Sequence, residues 1–237
     1  MLDRLSAMEF VRPGQRILDL GTGTGSLGRL FAQRGCKVTG IDIAAALLDQ
    51  ARAADREASV ETEYIKAPAE KTGLPEGGFD LVSAGQCWHW FDRPAVVQEA
   101  NRLLRDGGLI LIAHFDWLPF ADNVVATTEG VILRYNPGWP YAGGTGLYPE
   151  WLTDLREGNF ADIETFSFDI SVPYTHEAWV GRVRASAPIA GTLAPETVHR
   201  FSGELKDVLG ERYPQNPLVV PHRVWAVVGR RDGGALE

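Results

Sequence analysis

The chain has 237 residues, of which 45% are hydrophobic, and a formal net charge of −8 at pH 7. Because proteins bind nucleic-acid backbones through basic surfaces, this acidic balance argues against a nucleic-acid partner. No apolar run approaches the roughly 20 residues that span a membrane, and Met1-Leu-Asp-Arg4 does not resemble a signal peptide. We therefore expect a cytoplasmic protein with no membrane partner.

The segment Ile17-Leu-Asp-Leu-Gly-Thr-Gly-Thr-Gly25 predicts a buried strand over 16–20, followed by a tight turn that opens a helix near Ser26. Glycine accepts φ > 0 and has no side chain, so backbone in such a turn approaches a ligand closely. Gly23-Thr-Gly-Ser-Leu-Gly28 is also a literal G-x-G-x-x-G, and Asp42 follows about 20 residues later, as in dinucleotide-binding folds. The glycine pattern alone therefore leaves two cofactors open.

Asp19 lies two residues before Gly21, at the ligand-facing end of the predicted strand. A pyrophosphate at the helix N-terminus would lie near its carboxylate. At about 5 Å and an effective dielectric of about 20, each like-charge contact costs on the order of 3 kcal/mol. Phosphate sites normally offer amide donors and the positive end of a helix dipole instead. S-adenosylmethionine carries an ammonium group and no phosphate, so Asp19 favours that methyl donor over NAD.

Further motifs follow the glycine turn in order along the chain. They are Val38-Thr-Gly-Ile-Asp42, Ala67-Pro-Ala-Glu70 with Leu74-Pro75, Phe79-Asp-Leu-Val82, His89-Trp-Phe-Asp92 and Leu104-Arg-Asp-Gly-Gly108. Together with Asp19-Leu-Gly-Thr-Gly-Thr-Gly25, these motifs resemble those of class I S-adenosylmethionine-dependent methyltransferases of the small-molecule, methyltransferase-domain type. The resemblance is close over roughly residues 12 to 115 and extends to the remainder by general layout.

Apolar strands alternate with helices along the first half of the chain, which predicts a parallel sheet covered on both faces. The predicted strands are at about 16–20, 37–42, 60–66, 79–84, 108–114, 162–172 and 223–230, and the predicted helices at about 24–34, 44–54, 94–104, 122–134, 176–186 and 195–211. The resemblance implies an α/β fold with a doubly wound, Rossmann-like sheet of seven mostly parallel strands, the last antiparallel. We expect a single domain over 1–237 with helical lid insertions at about 115–150 and 173–221.

The resemblance also implies a set of donor-binding residues. Asp19 is expected to accept a hydrogen bond from the ammonium group, and Asp42 from both ribose hydroxyls, since a carboxylate accepts more than one bond. The alternative role for Asp42 is to cap the helix that follows it. The other expected contacts are Gly21, Thr22, Gly23 and Gly25 along the methionine part, Ile43 on the adenine face, Ala69 and Glu70 at the adenine edge, and Gln86 beside the methionine or sulfonium.

His89 is the leading candidate for a general base, because it follows the fourth strand near the expected methyl group. The alternative is a structural histidine that anchors its loop among Trp88, Trp90 and Phe91. His114 ends the fifth strand and is a second candidate for either role. A carboxylate acceptor would need no base.

Several aromatic residues, in or near the insertions and in the loop after the fourth strand, are expected to line a substrate pocket; ordinary lid core is the alternative for those of the lid. The candidates are Trp90, Trp117, Trp139, Tyr141 and Trp151. Arg182 and Arg184 lie two residues apart and do not share a helix face, so at most one is expected to reach a substrate carboxylate; solvated charge is the alternative.

Cys36 and Cys87 are expected to be free thiols on separate parts of the sheet, and neither has the His/Cys spacing of a metal site. The predicted function is methyl transfer from S-adenosylmethionine to a small-molecule acceptor. Alternatives are carboxylate O-methylation of the trans-aconitate type, an NAD(P)-dependent oxidoreductase, methylation of protein or RNA, and donor binding without turnover. The sequence leaves the acceptor atom open, as it does the choice between monomer and dimer.

Overall fold

The computed structural model describes residues 1–233, apart from the side chain of Leu2. The strands are β1 (Arg16–Leu20), β2 (Lys37–Asp42), β3 (Thr62–Lys66), β4 (Phe79–Gly85), β5 (Leu104–Trp117), β6 (Phe160–Tyr174) and β7 (Leu218–Arg231). The helices are α1 (Leu2–Ala7), α2 (Ser26–Ala32), α3 (Ala45–Ala58), α4 (Arg93–Leu103), α5 (Val124–Tyr135), α6 (Glu150–Glu157), α7 (His176–Arg184) and α8 (Pro195–Arg212), with a 3-10 turn at Trp88–Trp90. Each predicted strand and helix is present, whereas α1 and α6 were not predicted.

The seven strands form one sheet in the order β3-β2-β1-β4-β5-β7-β6. Strands β1 to β5 pair in parallel, and the last strand is antiparallel, so the predicted sheet is confirmed. The chain winds outward from β1 to β3 and then returns to β4 on the other side of β1. The carboxyl ends of β1 and β4 therefore form the switch point at which open α/β sheets bind ligands.

Alternate residues of the central strands enter different hydrophobic clusters on the two faces of the sheet. In β1, Ile17 packs in one cluster with Phe31 of α2, whereas Leu18 packs in the other with Val96 of α4. This period of two is the pleat of a strand that is buried on both faces. Asp19 is two residues from Ile17, and its side chain therefore lies on the α2 face.

Contacts divide the chain into two compact units. Of the described residues, the first unit comprises Met1–His114, Tyr148–Phe166 and 225–233, and the second comprises Phe115–Leu147 and Ser167–Val224. The second unit contains most of both expected insertions, 115–150 and 173–221. It differs from them at two segments: residues 148–150 belong to the first unit, and residues 167–172 belong to the second. A single domain with two lid insertions stays a prediction.

The second unit has its own hydrophobic core, built from α5, α7 and α8. Val125 and Ile132 of α5 pack with Trp179 of α7 and with Phe201 and Leu205 of α8. Trp179 is fully buried, and its Nε1 donates to Thr128 Oγ1 at 3.0 Å, so its one polar atom is satisfied within the core. The second unit is therefore a packed helical structure.

Cys36 and Cys87 are both buried free thiols, as expected. Among residues 1–233, none of the helices combines the length and the apolar composition needed to cross a membrane.

Candidate active site

The turn after β1 depends on glycine at three positions. Gly21, Gly23 and Gly25 have φ angles of 59°, 56° and 74°, in the left-handed region that favours glycine. A Cβ on Gly21 would lie 2.9 Å from Cys87 Sγ, and a Cβ on Gly25 would lie 2.3 Å from the Tyr64 hydroxyl oxygen. A Cβ on Gly23 would have no neighbour within 4 Å. Gly21 and Gly25 thus let protein segments approach, whereas Gly23 faces open space.

Asp19 is a buried carboxylate held by polar groups from three segments. Its side chain is 1% exposed; Thr22 Oγ1 donates to Oδ2 and Ser83 Oγ to Oδ1, each at 2.7 Å. The backbone of Gly28 supplies a further hydrogen bond. Burial outweighs these bonds and raises the pKa of Asp19 to about 6. The ionised form is therefore less favoured than that of an exposed aspartate, and a cation placed nearby would stabilise it.

Asp42 ends β2, and its carboxylate joins the turn to the start of α3. Oδ2 accepts from the Gly23 backbone N–H at 2.9 Å, and Oδ1 from that of Ala44 at 2.8 Å. The residue that caps α3 is Ala44, so Asp42 is not the helix cap. Each carboxylate oxygen accepts two hydrogen bonds, and the two backbone donors leave one position on each.

Ile43 follows Asp42 and leaves 68% of its surface exposed. A large aliphatic side chain beside a fixed carboxylate and an open glycine turn forms an amphipathic surface. Such a surface matches a nucleoside, which has an apolar base face and a hydroxylated sugar.

Arg29 of α2 links the glycine turn to α3 through two hydrogen bonds. Its Nη2 donates to the Thr24 carbonyl oxygen at 2.8 Å, and its Nε donates to Asp55 Oδ1 at 2.9 Å. Asp55 Oδ2 also accepts from the Tyr64 hydroxyl at 2.8 Å, and burial and this bond raise the pKa of Tyr64 to about 12. The buried network holds the turn in a single arrangement.

The remaining donor-site candidates follow β3 and β4, at the same edge of the sheet. Ala69 is buried, and Glu70 Oε1 accepts from the backbone N–H of Asp92 at 3.2 Å. Gln86 is exposed, has φ of 63°, and donates its backbone N–H to the Ala113 carbonyl oxygen at 3.0 Å. A left-handed non-glycine residue at a strand end is a feature often found at functional sites.

His89 and His114 lie together. His89 Nδ1 is 3.4 Å from His114 Nε2, and the ring centroids are 5.3 Å apart at 68°. His114 also contacts Tyr148 and Trp151, with ring centroids 4.5 and 5.3 Å away. The pair shares one hydrogen bond, in which one imidazole donates and the other accepts.

Trp88 anchors the loop that carries His89. It is fully buried, and its Nε1 donates to Asp154 Oδ2 at 2.9 Å. Arg93 Nη1 also reaches Asp154, at 3.1 Å. The loop is therefore fixed by a tryptophan and an ion pair, and His89 is not required as its anchor.

The predicted pocket aromatics are divided between the units. Trp117 and Trp139 lie in the second unit with ring centroids 6.5 Å apart, and Tyr141 of that unit is 56% exposed. Trp90, in the first unit, is 65% exposed. The expectation that Trp151 belongs to the lid pocket was wrong: it is fully buried in the core of the first unit, where its ring stacks on Tyr148 at 4.1 Å.

A groove of about 1050 Å³ lies elsewhere on the first unit. Its lining includes Arg16, Lys37, Thr62 and Phe79, which are the first residues of β1 to β4. The groove therefore opens at the amino ends of the strands, away from the residues described above, and parallel sheets bind ligands at their carboxyl ends.

Comparison with known proteins agrees with this geometry. A family described as "Methyltransferase domain" matches residues 18–112. Malonyl-[acyl-carrier protein] O-methyltransferase of Serratia marcescens is 36% identical over 112 residues, or 47% of this chain and 42% of that protein. The chain thus spans about two fifths of the length of this relative.

Solved structures share the fold. The YcgJ protein of Bacillus subtilis has a TM-score of 0.63 at 20% identity, covering 98% of both chains. Phosphoethanolamine N-methyltransferase 2 of Haemonchus contortus, solved with S-adenosyl-L-methionine, has a TM-score of 0.57 at 19% identity, covering 98% of this chain and 52% of that one. Residues 18–112 form a class I S-adenosylmethionine-dependent methyltransferase domain.

The sequence reasoning missed several residues that hold the site in place. Ser83, Arg29 and Asp55 are polar side chains that the sequence treats as ordinary strand or helix positions. Ser83 had a detectable signal, because it is a hydroxyl within an otherwise apolar strand that pairs with β1. Arg29 and Asp55 are 26 residues apart, and no local pattern links them.

The raised pKa of Asp19 predicts a pH-dependent stability. Because the folded-state pKa of about 6 exceeds the ordinary aspartate value of 3.8, the contribution of Asp19 is greatest at low pH and is lost as pH rises from about 4 through 6. Asp19→Asn lacks this titration. The free energy of unfolding of the wild type relative to Asp19→Asn should fall by about 2 kcal/mol between pH 4 and pH 7 in urea titrations. A difference in unfolding free energy between the two proteins that does not change with pH would refute the raised pKa of Asp19.

Proposed function

We propose that this protein transfers a methyl group from S-adenosylmethionine to a small-molecule acceptor. The observation that carries the proposal is the Asp42 carboxylate, fixed by two backbone amides between an open glycine turn and the exposed Ile43. In the bound state, Asp42 would hold the ribose hydroxyls and Ile43 the adenine face. Localisation in the cytoplasm stays a prediction.

Asp19 argues for this donor over a dinucleotide. Its carboxylate is buried below the turn, where an ionised acid repels a pyrophosphate. An ammonium group near the turn has the opposite effect, because it offsets part of the cost of ionising a buried carboxyl. Asp19 and the turn together thus favour a cationic amino-acid moiety.

The donor brings a methyl group that its positive sulfur already activates, so the protein has to position the acceptor and exclude water. Within the first unit, His89 is the side chain suited to take a proton from a hydroxyl or amine acceptor. Its loop is anchored independently by Trp88. His114, 3.4 Å away, would fix the tautomer and orientation of His89.

Carboxylate O-methylation is the second candidate. The Serratia relative is by name an O-methyltransferase of a malonyl-carrying protein, and it is 36% identical over 112 residues. A carboxylate acceptor needs no base, so the role of His89 separates the two candidates.

Binding to Asp42 provides the direct test of donor use. Calorimetry should give tight binding of S-adenosylhomocysteine and no binding of NADH. A 2′-deoxyribose analogue of S-adenosylhomocysteine should bind the wild type at least about tenfold more weakly, because a charge-assisted hydrogen bond contributes about 1.5–3 kcal/mol. Asp42→Ala should bind both ligands weakly and no longer discriminate between them. Tight NADH binding without a response to S-adenosylhomocysteine would refute the proposed function.

A second prediction concerns His89. After an acceptor is identified by screening with a labelled methyl donor, His89→Ala should lower kcat by about 10²–10⁴-fold for a hydroxyl or amine acceptor, with unchanged donor affinity. His199→Ala, at an exposed position of α8, is the matched control and should keep full activity. Unchanged kcat in His89→Ala with such an acceptor would exclude His89 as the general base.

A further inference from the structure

The connection between β3 and β4, residues 67–78, contains no helix or strand, so contacts with other elements determine its path. We call it the 67–78 loop. It carries Ala69 and Glu70, the two residues predicted at the adenine edge. The Ala67 N–H, at the start of the loop, donates to the Asp42 carbonyl oxygen at 3.3 Å. The loop is therefore tied to the residue whose carboxylate is the proposed ribose ligand.

Glu99 of α4 holds this loop at a second point. Its Oε1 accepts from the Thr72 N–H at 2.9 Å and from Thr72 Oγ1 at 2.6 Å. Arg102 donates to the same carboxylate from Nη2 at 2.8 Å and from Nε at 2.7 Å. The Glu99 side chain is 10% exposed, and Thr72 is buried. Charge-assisted hydrogen bonds that are shielded from water in this way are strong ones.

The carboxylate of Glu99 is ionised at neutral pH. The hydrogen bonds from Arg102 are the largest cause that lowers its pKa to about 2; the Thr72 bonds act in the same direction, and burial opposes them. Arg102 leaves 38% of its side chain exposed, so water can solvate its guanidinium when Glu99 is removed. Loss of Glu99 therefore releases the loop without leaving a buried, unpaired charge on α4.

Two fixed points flank the segment 68–71. One is the bond to the Asp42 carbonyl oxygen, and the other is the pair of bonds between Thr72 and Glu99. Pro68 lies between them with its φ restricted by the ring, and a short segment with both ends fixed has few conformations left to it. The Asp42 bond places the segment relative to the ribose ligand, and Glu99 fixes the other end.

The fixed segment carries two hydrogen-bonding atoms that have no partner among residues 1–233. They are the Ala69 N–H, which donates, and Glu70 Oε2, which accepts; Glu70 Oε1 already accepts from the Asp92 N–H. Adenine presents the complementary edge, because its N1 accepts and its 6-amino group donates. Hypoxanthine reverses both positions, since its N1 carries a proton and its 6-oxo group only accepts. The segment is therefore matched to adenine when it is held in place.

We propose that Glu99 is a positioning residue for the base of the methyl donor: by holding Thr72, it fixes Ala69 and Glu70 and thereby sets a preference for adenine over hypoxanthine. This inference rests on the proposed function. Glu99 itself contacts Thr72 and Arg102 and acts on the base only through the 67–78 loop.

Calorimetry on the full chain with three ligands tests this role without a known acceptor. They are S-adenosylhomocysteine, S-inosylhomocysteine, in which hypoxanthine replaces adenine, and the 2′-deoxyribose analogue of S-adenosylhomocysteine. The wild type should bind S-adenosylhomocysteine at least about tenfold more tightly than S-inosylhomocysteine, because the exchanged base leaves hydrogen-bonding groups unpaired. The deoxyribose analogue reports on the Asp42 contact separately.

Glu99→Ala should reduce the preference for adenine to within about threefold and leave the preference for the 2′-hydroxyl unchanged. A general loosening of the protein would lower both preferences together. Thr72→Val removes the hydroxyl bond and keeps the Glu99–Arg102 pair, so it should lower the adenine preference severalfold in a protein that folds normally. Gln98→Ala, at an exposed position of the same helix, is the matched control and should change neither preference.

The proposal is overturned if the wild type binds S-adenosylhomocysteine but does not prefer it to S-inosylhomocysteine. Retention of the wild-type adenine preference in Glu99→Ala and Thr72→Val would also overturn it, as would an equal loss of the base and ribose preferences. Should Glu99→Ala fail to fold, Thr72→Val decides. These results would leave the proposed function standing, whereas a wild type that does not bind S-adenosylhomocysteine would refute both claims.

Discussion

The buried carboxylate of Asp19 is the constraint on which the proposed donor site depends. It receives hydrogen bonds from Thr22 in the turn, Ser83 in β4 and Gly28 in α2, and so ties together the elements that meet at the switch point. Burial of this acid is unfavourable, as its raised pKa shows. A buried acid with a perturbed pKa, next to a turn with open space at Gly23, marks a candidate functional site.

The carboxylates of Asp19 and Asp42, at the ends of the neighbouring strands β1 and β2, differ in their surroundings. Asp19 is enclosed and sets the electrostatic character of the turn, while Asp42 is partly exposed and presents hydrogen-bond acceptors in a fixed direction. The Arg29–Asp55–Tyr64 network fixes the turn between them. Local rigidity at this edge means that a ligand needs little reorganisation of the protein to bind.

The fold was largely predictable because apolar strands such as β1 and β4 alternate with helical segments along the first half of the chain. The start of β5 at Leu104 was missed because Arg105-Asp-Gly-Gly108 has the composition of a turn, and the structure shifts register there, between Phe79 and Leu81. Helix α6 was missed because it begins after Pro149 within an aromatic-rich segment. Trp151 and Leu155, four residues apart and both buried, were the available signal for that helix.

The candidate site was predictable where chemistry is local, as for the glycine turn, Asp19 and Asp42. It was not predictable where partners are distant in sequence. Trp88 meets Asp154 across 66 residues, and Arg182 meets Phe115 across a similar separation, so their environments are products of tertiary packing. The donor-binding roles of all the predicted site residues, including Asp19 and Asp42, stay predictions.

The most direct test of the donor site is a crystal structure of the protein with S-adenosylhomocysteine. We expect both ribose hydroxyls within hydrogen-bond distance of the Asp42 carboxylate, the adenine against Ile43 and the amino-acid moiety next to the turn that Asp19 supports. A bound ligand that leaves Asp42 without a ribose contact, or that occupies the groove at the amino ends of the strands, would contradict this donor site.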